Sequence, residues 1–309
     1  MELWPLILLT LAAAVRAGTP ILFAALGELM AERSGVLNLG VEGMMLVGAL
    51  VGFMTTQKTG EPWLGLLAAG LAGTMVSLIH AFLTITLRAN QVVSGLALTI
   101  FGTGVSGFLG KPYIGVPAEG FPPTRVSVFG DLPLVGTIFF QHDPMVYLTY
   151  PLIPLFWFLL YRTRPGLNVR AVGESPESAD AMGVGVALTR YLCVLAGGLL
   201  AGLGGAYLSL AYTHMWIENM TAGRGWIALA IVIFGTWDPV RVALGAYLFG
   251  GVQALQLRLQ ALGVGLPTYL LMMTPYVFTV LVLVVATRET VRRRIGAPAA
   301  LGIPYARGE

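Results

Sequence analysis

Stretches of about twenty mostly apolar residues recur along this chain, the length a helix needs to cross a hydrocarbon core of about 30 Å. They cover residues 5–27, 34–56, 63–87, 91–110, 145–161, 190–213, 241–258 and 269–287. A ninth stretch, 224–236 (RGWIALAIVIFGT), is short enough to be re-entrant. Trp237-Asp238-Pro239 follows it, a helix-breaking sequence suited to an interface. The expected fold is all-α: a polytopic transmembrane helical bundle of about nine spans, or eight to ten where a helix is broken or re-entrant.

Composition excludes the other classes. Hydrophobic types make up 56% of the 309 residues and charged types 11%, against about 45–50% and about 25% in soluble domains. So few charges could not cover a soluble surface of this size, and a mean hydropathy of +0.80 excludes a disordered chain. The net charge of +3, without basic tracts interleaved with aromatics, gives no reason to expect nucleic acid. Cys193 is the only cysteine, which rules out an intrachain disulfide and argues against a Cys-based metal site. His80, His142 and His214 are far apart and show no metal-ligand spacing, so no metal is expected. The start, MELWPLILLT, lacks a positive n-region and carries Glu2, and it reads as the first span rather than a cleaved signal.

Nine spans with the N-terminus outside put Arg33, Arg88, Arg162, Arg164, Arg170, Arg190, Arg241, Arg288, Arg292, Arg293, Arg294 and Arg307 inside. Lys58, Lys111, Arg125, Arg224 and Arg258 fall outside, and Arg16 lies within a span. The positive-inside bias therefore favours a cytoplasmic C-terminus. The organisation expected is one transmembrane domain over 1–309, an outer loop at 111–144, an inner loop at 162–190 and an inner tail at 288–309.

Several motifs fail their context. Gly102-Thr103-Gly104-Val105-Ser106-Gly107 matches a dinucleotide fingerprint but lies in an apolar span with no preceding strand. No Walker A sequence is present, so any ATP must be bound by another chain. No catalytic set is visible, and no catalytic residue is expected. Small residues at four-residue spacing, as in Gly197–Ala206, let helix backbones approach closely. This serves packing within the chain or, as a sharper reading, an oligomer interface.

Polar residues at membrane depth are costly and so informative. Arg16, Asn38, Glu42, Asn90, Gln91 and Ser94 are the candidates for a translocation path, and His80 reads as structural or near the inner face. Glu42 and Arg16 could equally form a structural ion pair or snorkel. Trp216, Trp226 and Phe234 could stack on a ring-shaped solute, but an interfacial belt is the commoner role. In the inner loop, Pro165-Gly166 is a turn signal. Ser175 as N-cap, Pro176 at the first helical position, Glu177 on the dipole and Gly183 as a stop spell a helix over 176–182. So short a helix must dock, either on this protein's own face or on a partner.

Three blocks carry a resemblance: ERSGVLNLGVEGMM (32–45), VGESPESADAMGV (172–184) and GRGWIALAIVIFG (223–235). The chain resembles the permease subunits of bacterial ABC importers for branched-chain amino acids and simple sugars. The N-x-G-x-E-G and G-R-G-W-I forms are most similar to the nucleoside and sugar branch. The resemblance implies a pore subunit, not an enzyme, in the inner membrane of a bacterium, moving a nucleoside or simple sugar by alternating access. It implies an ABC ATPase that binds ATP and Mg, a second permease as homodimer or heterodimer, and a periplasmic or lipid-anchored solute-binding protein. This chain itself would bind no cofactor. The resemblance makes Glu174, Ser175, Pro176, Glu177, Ser178, Ala179, Asp180, Ala181, Met182 and Gly183 the ATPase-coupling helix. A branched-chain amino acid permease is one alternative. An ion-coupled secondary transporter is the other, although Glu42 is a lone carboxylate at depth in this reading.

Overall fold

The apolar runs become helices, and caps set their limits. The computed structural model describes residues 3–127, 129–263, 267–293 and 296–306. Its helices are α1 (Leu3–Arg33), α2 (Val41–Thr59), α3 (Pro62–Ala81), α4 (Gln91–Gly110), α5 (Val135–Phe139), α6 (Pro144–Arg162), α7 (Arg164–Glu174), α8 (Pro176–Ala181), α9 (Val186–Tyr207), α10 (Arg224–Phe234), α11 (Pro239–Ala261) and α12 (Thr268–Arg293). Short π-helical turns, Phe82–Thr86 and Leu208–Tyr212, extend α3 and α9.

A recurring device starts these helices. A short polar residue accepts backbone N–H bonds, and a proline occupies the first turn, where its missing donor costs nothing. Asp143 caps Met145 and Val146 at 3.0 and 3.1 Å ahead of Pro144. Asp238 caps Val240 and Arg241 ahead of Pro239. Thr163 caps Gly166 at 3.2 Å, so Pro165-Gly166 opens α7 rather than forming the expected turn. Trp237-Asp238-Pro239 likewise ends one helix and begins the next.

Among the described residues, six helical segments are long and apolar enough to cross a membrane: Ile7–Arg33, Pro62–Thr86, Gln91–Tyr113, Pro144–Arg162, Val186–Tyr212 and Pro239–Ala261. Several segments differ in extent from the expected spans, and the run expected at 269–287 yields the shorter apolar stretch Tyr269–Leu281. The first run continues six residues beyond 27, to Arg33. The run at 34–56 becomes a helix only at Val41, and α2 is buried along most of its length. The helix α10 has 11 residues, about 16 Å at 1.5 Å each, or half a span. Arg190, expected in the inner loop, is in α9 and buried.

The core is organised around α1, α2 and α9. Helix α9 lies against α1, α2 and α3, and α1 also packs on α10 and α11. Glycines make this approach possible. A methyl on Gly202 would overlap the Ala69 carbonyl of α3, one on Gly205 the Met45 carbonyl of α2, and one on Gly27 the Gly197 carbonyl. The small residues at 197–205 thus serve packing within the chain.

At one end, residues 111–143 fold over the bundle. Ala118 and Phe121 donate backbone bonds to His214 and Leu210 at 3.0 and 2.9 Å. A two-residue ribbon pairs Thr124 with His142 and Arg125 with Gln141. The opposite, arginine-rich end holds α7, α8 and residues 296–306. The tail expected at 288–309 is helical to Arg293 and then packed on this end over 296–306. Residues 294–295 and 307–309, with Arg294 and Arg307, lie outside the described residues.

Gly202→Val should destabilise the bundle by about 2 kcal/mol or more, whereas Gly104→Ala, with open space around its α carbon, should not. Thermal unfolding of the two variants in detergent reads the difference.

Candidate functional site

Helices α1 and α2 are separated by irregular backbone between apolar helices. Helix α1 ends in a Schellman motif. Gly35, at φ +90°, donates to Glu32 O at 2.9 Å, and Val36 donates to Ala31 O at 3.1 Å. Backbone groups of residues 37–40 then need partners that lipid cannot offer, and side chains provide them. Leu37 N donates to Gln91 Oε1 at 2.7 Å, and Asn38 N to Glu28 Oε1 at 2.9 Å. Gly40 N donates to Asn38 Oδ1 at 3.0 Å, and Leu39 O accepts from Thr99 Oγ1 at 2.9 Å. His80 bridges Leu37 O at 3.1 Å and Ser94 Oγ at 2.9 Å. The structure therefore gathers Asn38, Gln91, Ser94 and His80 around one break.

A second break precedes α10. The chain runs through positive φ at His214, Asn219, Ala222 and Gly223 before α10 begins. Glu42, in the first turn of α2, holds this junction. Its Oε1 accepts from Thr221 Oγ1 at 2.5 Å and Gly223 N at 2.8 Å, and its Oε2 from Gly225 N at 2.6 Å. One buried carboxylate thus serves the N-terminal ends of two helices, where the macrodipole favours negative charge. Arg224 turns its guanidinium back onto Met220 O and Thr221 O at 3.1 and 3.0 Å, and Tyr276 of α12 donates to Ala222 O at 3.2 Å.

The third corner joins α10 to α11. Thr236 and Trp237 adopt positive φ. Glu32 accepts from Trp237 Nε1 at 2.5 Å, and Arg33 donates to Trp237 O through Nε and Nη2 at 3.0 and 2.9 Å. Glu28 and Glu32 are fully buried, and sequence reasoning missed both because the first span was ended at 27. The Ser34-Gly35 stop is present in the sequence, but nothing local to it assigns the two carboxylates their partners.

Other candidates lie elsewhere. Arg16 does not meet Glu42, whose oxygens are already taken. Its guanidinium sits 5.9 Å from the centre of the Tyr212 ring, within electrostatic reach of Asp143. Asn90 caps α4 through Val93 N at 3.1 Å and is exposed. Trp216 is fully buried, with Gly110 directly against its indole, so it is not an interfacial belt residue. Trp226 is partly exposed and Phe234 half-buried.

At the arginine-rich end, α8 spans Pro176–Ala181, one residue short of the 176–182 that the sequence spells, with Met182 as its C-cap. Ser175 Oγ accepts from Ser178 N at 3.3 Å, Gly183 turns at φ +84°, and Val184 N closes on Ala179 O at 2.9 Å. Ala179 is buried against Val172 and Val186. Glu174, Glu177, Ser178, Ala181 and Met182 are exposed, Met182 to 84%. Among the described residues, no group of three His, Cys, Asp or Glu side chains could hold a metal.

Comparison with known proteins adds to this geometry. The family described as the permease component of the branched-chain amino acid transport system matches residues 10–287. A putative glucose ABC transporter permease of Haloferax volcanii is 46% identical, covering 96% of this chain and 96% of its own. A guanosine ABC transporter permease of Bacillus subtilis is 38% identical, with 94% of both chains covered. A nucleoside ABC transporter permease of Lactococcus lactis is 34% identical, with 93% of both covered.

Glu42→Ala leaves three donors at the α10 junction without their acceptor. It should lower stability by about 3 kcal/mol or more, and Thr221→Val by about 1 kcal/mol. Folded yield and thermal unfolding in detergent check both values.

Proposed function

The chain belongs to the permease-component family of the branched-chain amino acid transport system, and from that premise we propose how this ABC transporter permease selects its solute and couples to ATP. The solute is a nucleoside or a simple sugar, taken into the cytoplasm by alternating access. The relatives named for glucose, guanosine and nucleosides support this. The occupied N-terminus of α10 carries the reading. An open half-helix end inside a membrane would favour an anionic group such as an amino acid carboxylate. Here Glu42 already accepts from Gly223 and Gly225, which favours a solute with hydroxyls and no net charge.

Energy comes from a separate ABC ATPase carrying ATP and Mg. The arginine-rich end is cytoplasmic, as the positive-inside rule favours, and the protein resides in the cell membrane. There α8 meets the ATPase through Glu174, Glu177, Ser178, Ala181 and Met182, while Ala179 keeps it seated. A second permease completes the pore, and a solute-binding protein delivers to the end covered by residues 111–143. Asn38, Glu42, Gln91 and Ser94 act on the path by holding its broken backbone. Arg16 and Asn90 are the more accessible polar candidates beside it.

Vesicles containing this chain, its ATPase, its second permease and its binding protein should take up labelled guanosine or glucose only with ATP. Asp180→Arg and Gly183→Pro should abolish that uptake while the chain stays inserted. Uptake that ignores ATP and follows a proton or sodium gradient would sink the reading in favour of a secondary transporter.

A further inference from the structure

Residues 296–306 are drawn across the arginine-rich end as an irregular segment, and each part of it is held. Gly296 lies against the Trp237 ring and Thr236, at the third corner. Ala300, nearly fully buried, donates to Gly173 O at 2.9 Å at the end of α7. Leu301 packs on the main core. Gly302 N donates to Gly35 O at 3.2 Å, in the Schellman stop of α1. Ile303 O accepts from Arg190 Nη1 at 3.2 Å. Tyr305 packs with Val172, Ala179 and Val186, the apolar seat of α8. A loosely attached tail would show little of this burial or bonding.

Two features make the segment a connector. Arg190 is buried and bonds both sides: its Nε donates to Ser34 O at 3.2 Å as its Nη1 donates to Ile303 O. The segment crosses where Gly173 allows α7 to touch the end of α1, since a methyl there would overlap the Arg33 carbonyl. A shift of α8 therefore reaches Tyr305 first, then Arg190 and Gly35 at the first break, and Trp237 at the far end of α10. A six-residue helix has little stability of its own, so its seat must take up whatever force it receives.

We propose that residues 296–306 are a coupling strap, with Tyr305 and Arg190 as positioning residues, that transmits movement of α8 to the broken spans. The proposal rests on the reading of α8 as the ATPase-facing helix.

The assembled transporter in proteoliposomes tests both readings separately. Cys193 is buried, so Glu177→Cys places an accessible thiol on α8, and its maleimide labelling is followed with and without the ATPase. Uptake of labelled guanosine and glucose is measured per ATP hydrolysed. The expected result is protection of Glu177→Cys by the ATPase and a fall of about tenfold in uptake per ATP for Tyr305→Ala. Tyr305→Phe, which keeps the apolar packing, should restore coupling. Where Tyr305→Ala does not assemble, Arg190→Lys is measured instead, since a lysine keeps the charge but cannot fork between two carbonyls, and the same fall is expected. Protection with an unchanged ratio in the assembled variant overturns the strap and leaves α8 as the docking helix. No protection overturns both.

Discussion

Every irregular stretch within the bundle answers one constraint: a backbone N–H or C=O away from water must find a partner inside the protein. Three glutamates carry much of that duty. Glu28 bonds Asn38 N in the first break, Glu42 bonds the turn and first residues of α10, and Glu32 bonds the Trp237 indole where α10 gives way to α11. The charged residues that a soluble protein spreads on its surface are here placed inside. Each is aimed at backbone or indole donors, and two of the three project from one helix, α1.

Helix α1 is thereby the spine of the molecule. Its glycines admit α9 and α11 at close range. Its last two turns supply Glu28, Glu32 and Arg33 to two separate breaks, and its terminal motif receives Arg190 and Gly302. The broken segments are thus joined to α1 largely through side-chain hydrogen bonds rather than helical ones.

Much of this was legible in the residues. The limits of α8 are written in Ser175, Pro176 and Gly183, and the shortness of α10 in Arg224–Phe234. The break after α1 was not legible as a break. Hydropathy runs on through Val36, Leu37 and Leu39, and what interrupts the helix is the Ser34-Gly35 stop together with partners on distant helices. Burial of Glu28 and Glu32 was hidden for the same reason: their acceptor role depends on Asn38 N and on Trp237, 205 residues away. Pro165 misled because proline followed by glycine signals a turn unless a capping residue such as Thr163 stands before it. Trp216 reads as a belt residue from sequence because composition cannot show that Gly110 leaves it a slot.

The junction at Glu42 also bears on how the protein is made. Its three donors lie 179, 181 and 183 residues downstream, so they do not yet exist when α2 is synthesised. Glu42 therefore gains these partners only once the chain has been made as far as Gly225. The break at Gly35 waits longer still, for Gly302 near the end of the chain. Both junctions therefore close through contacts that span most of the described residues, so the early helices reach their final packing only when the later ones are in place.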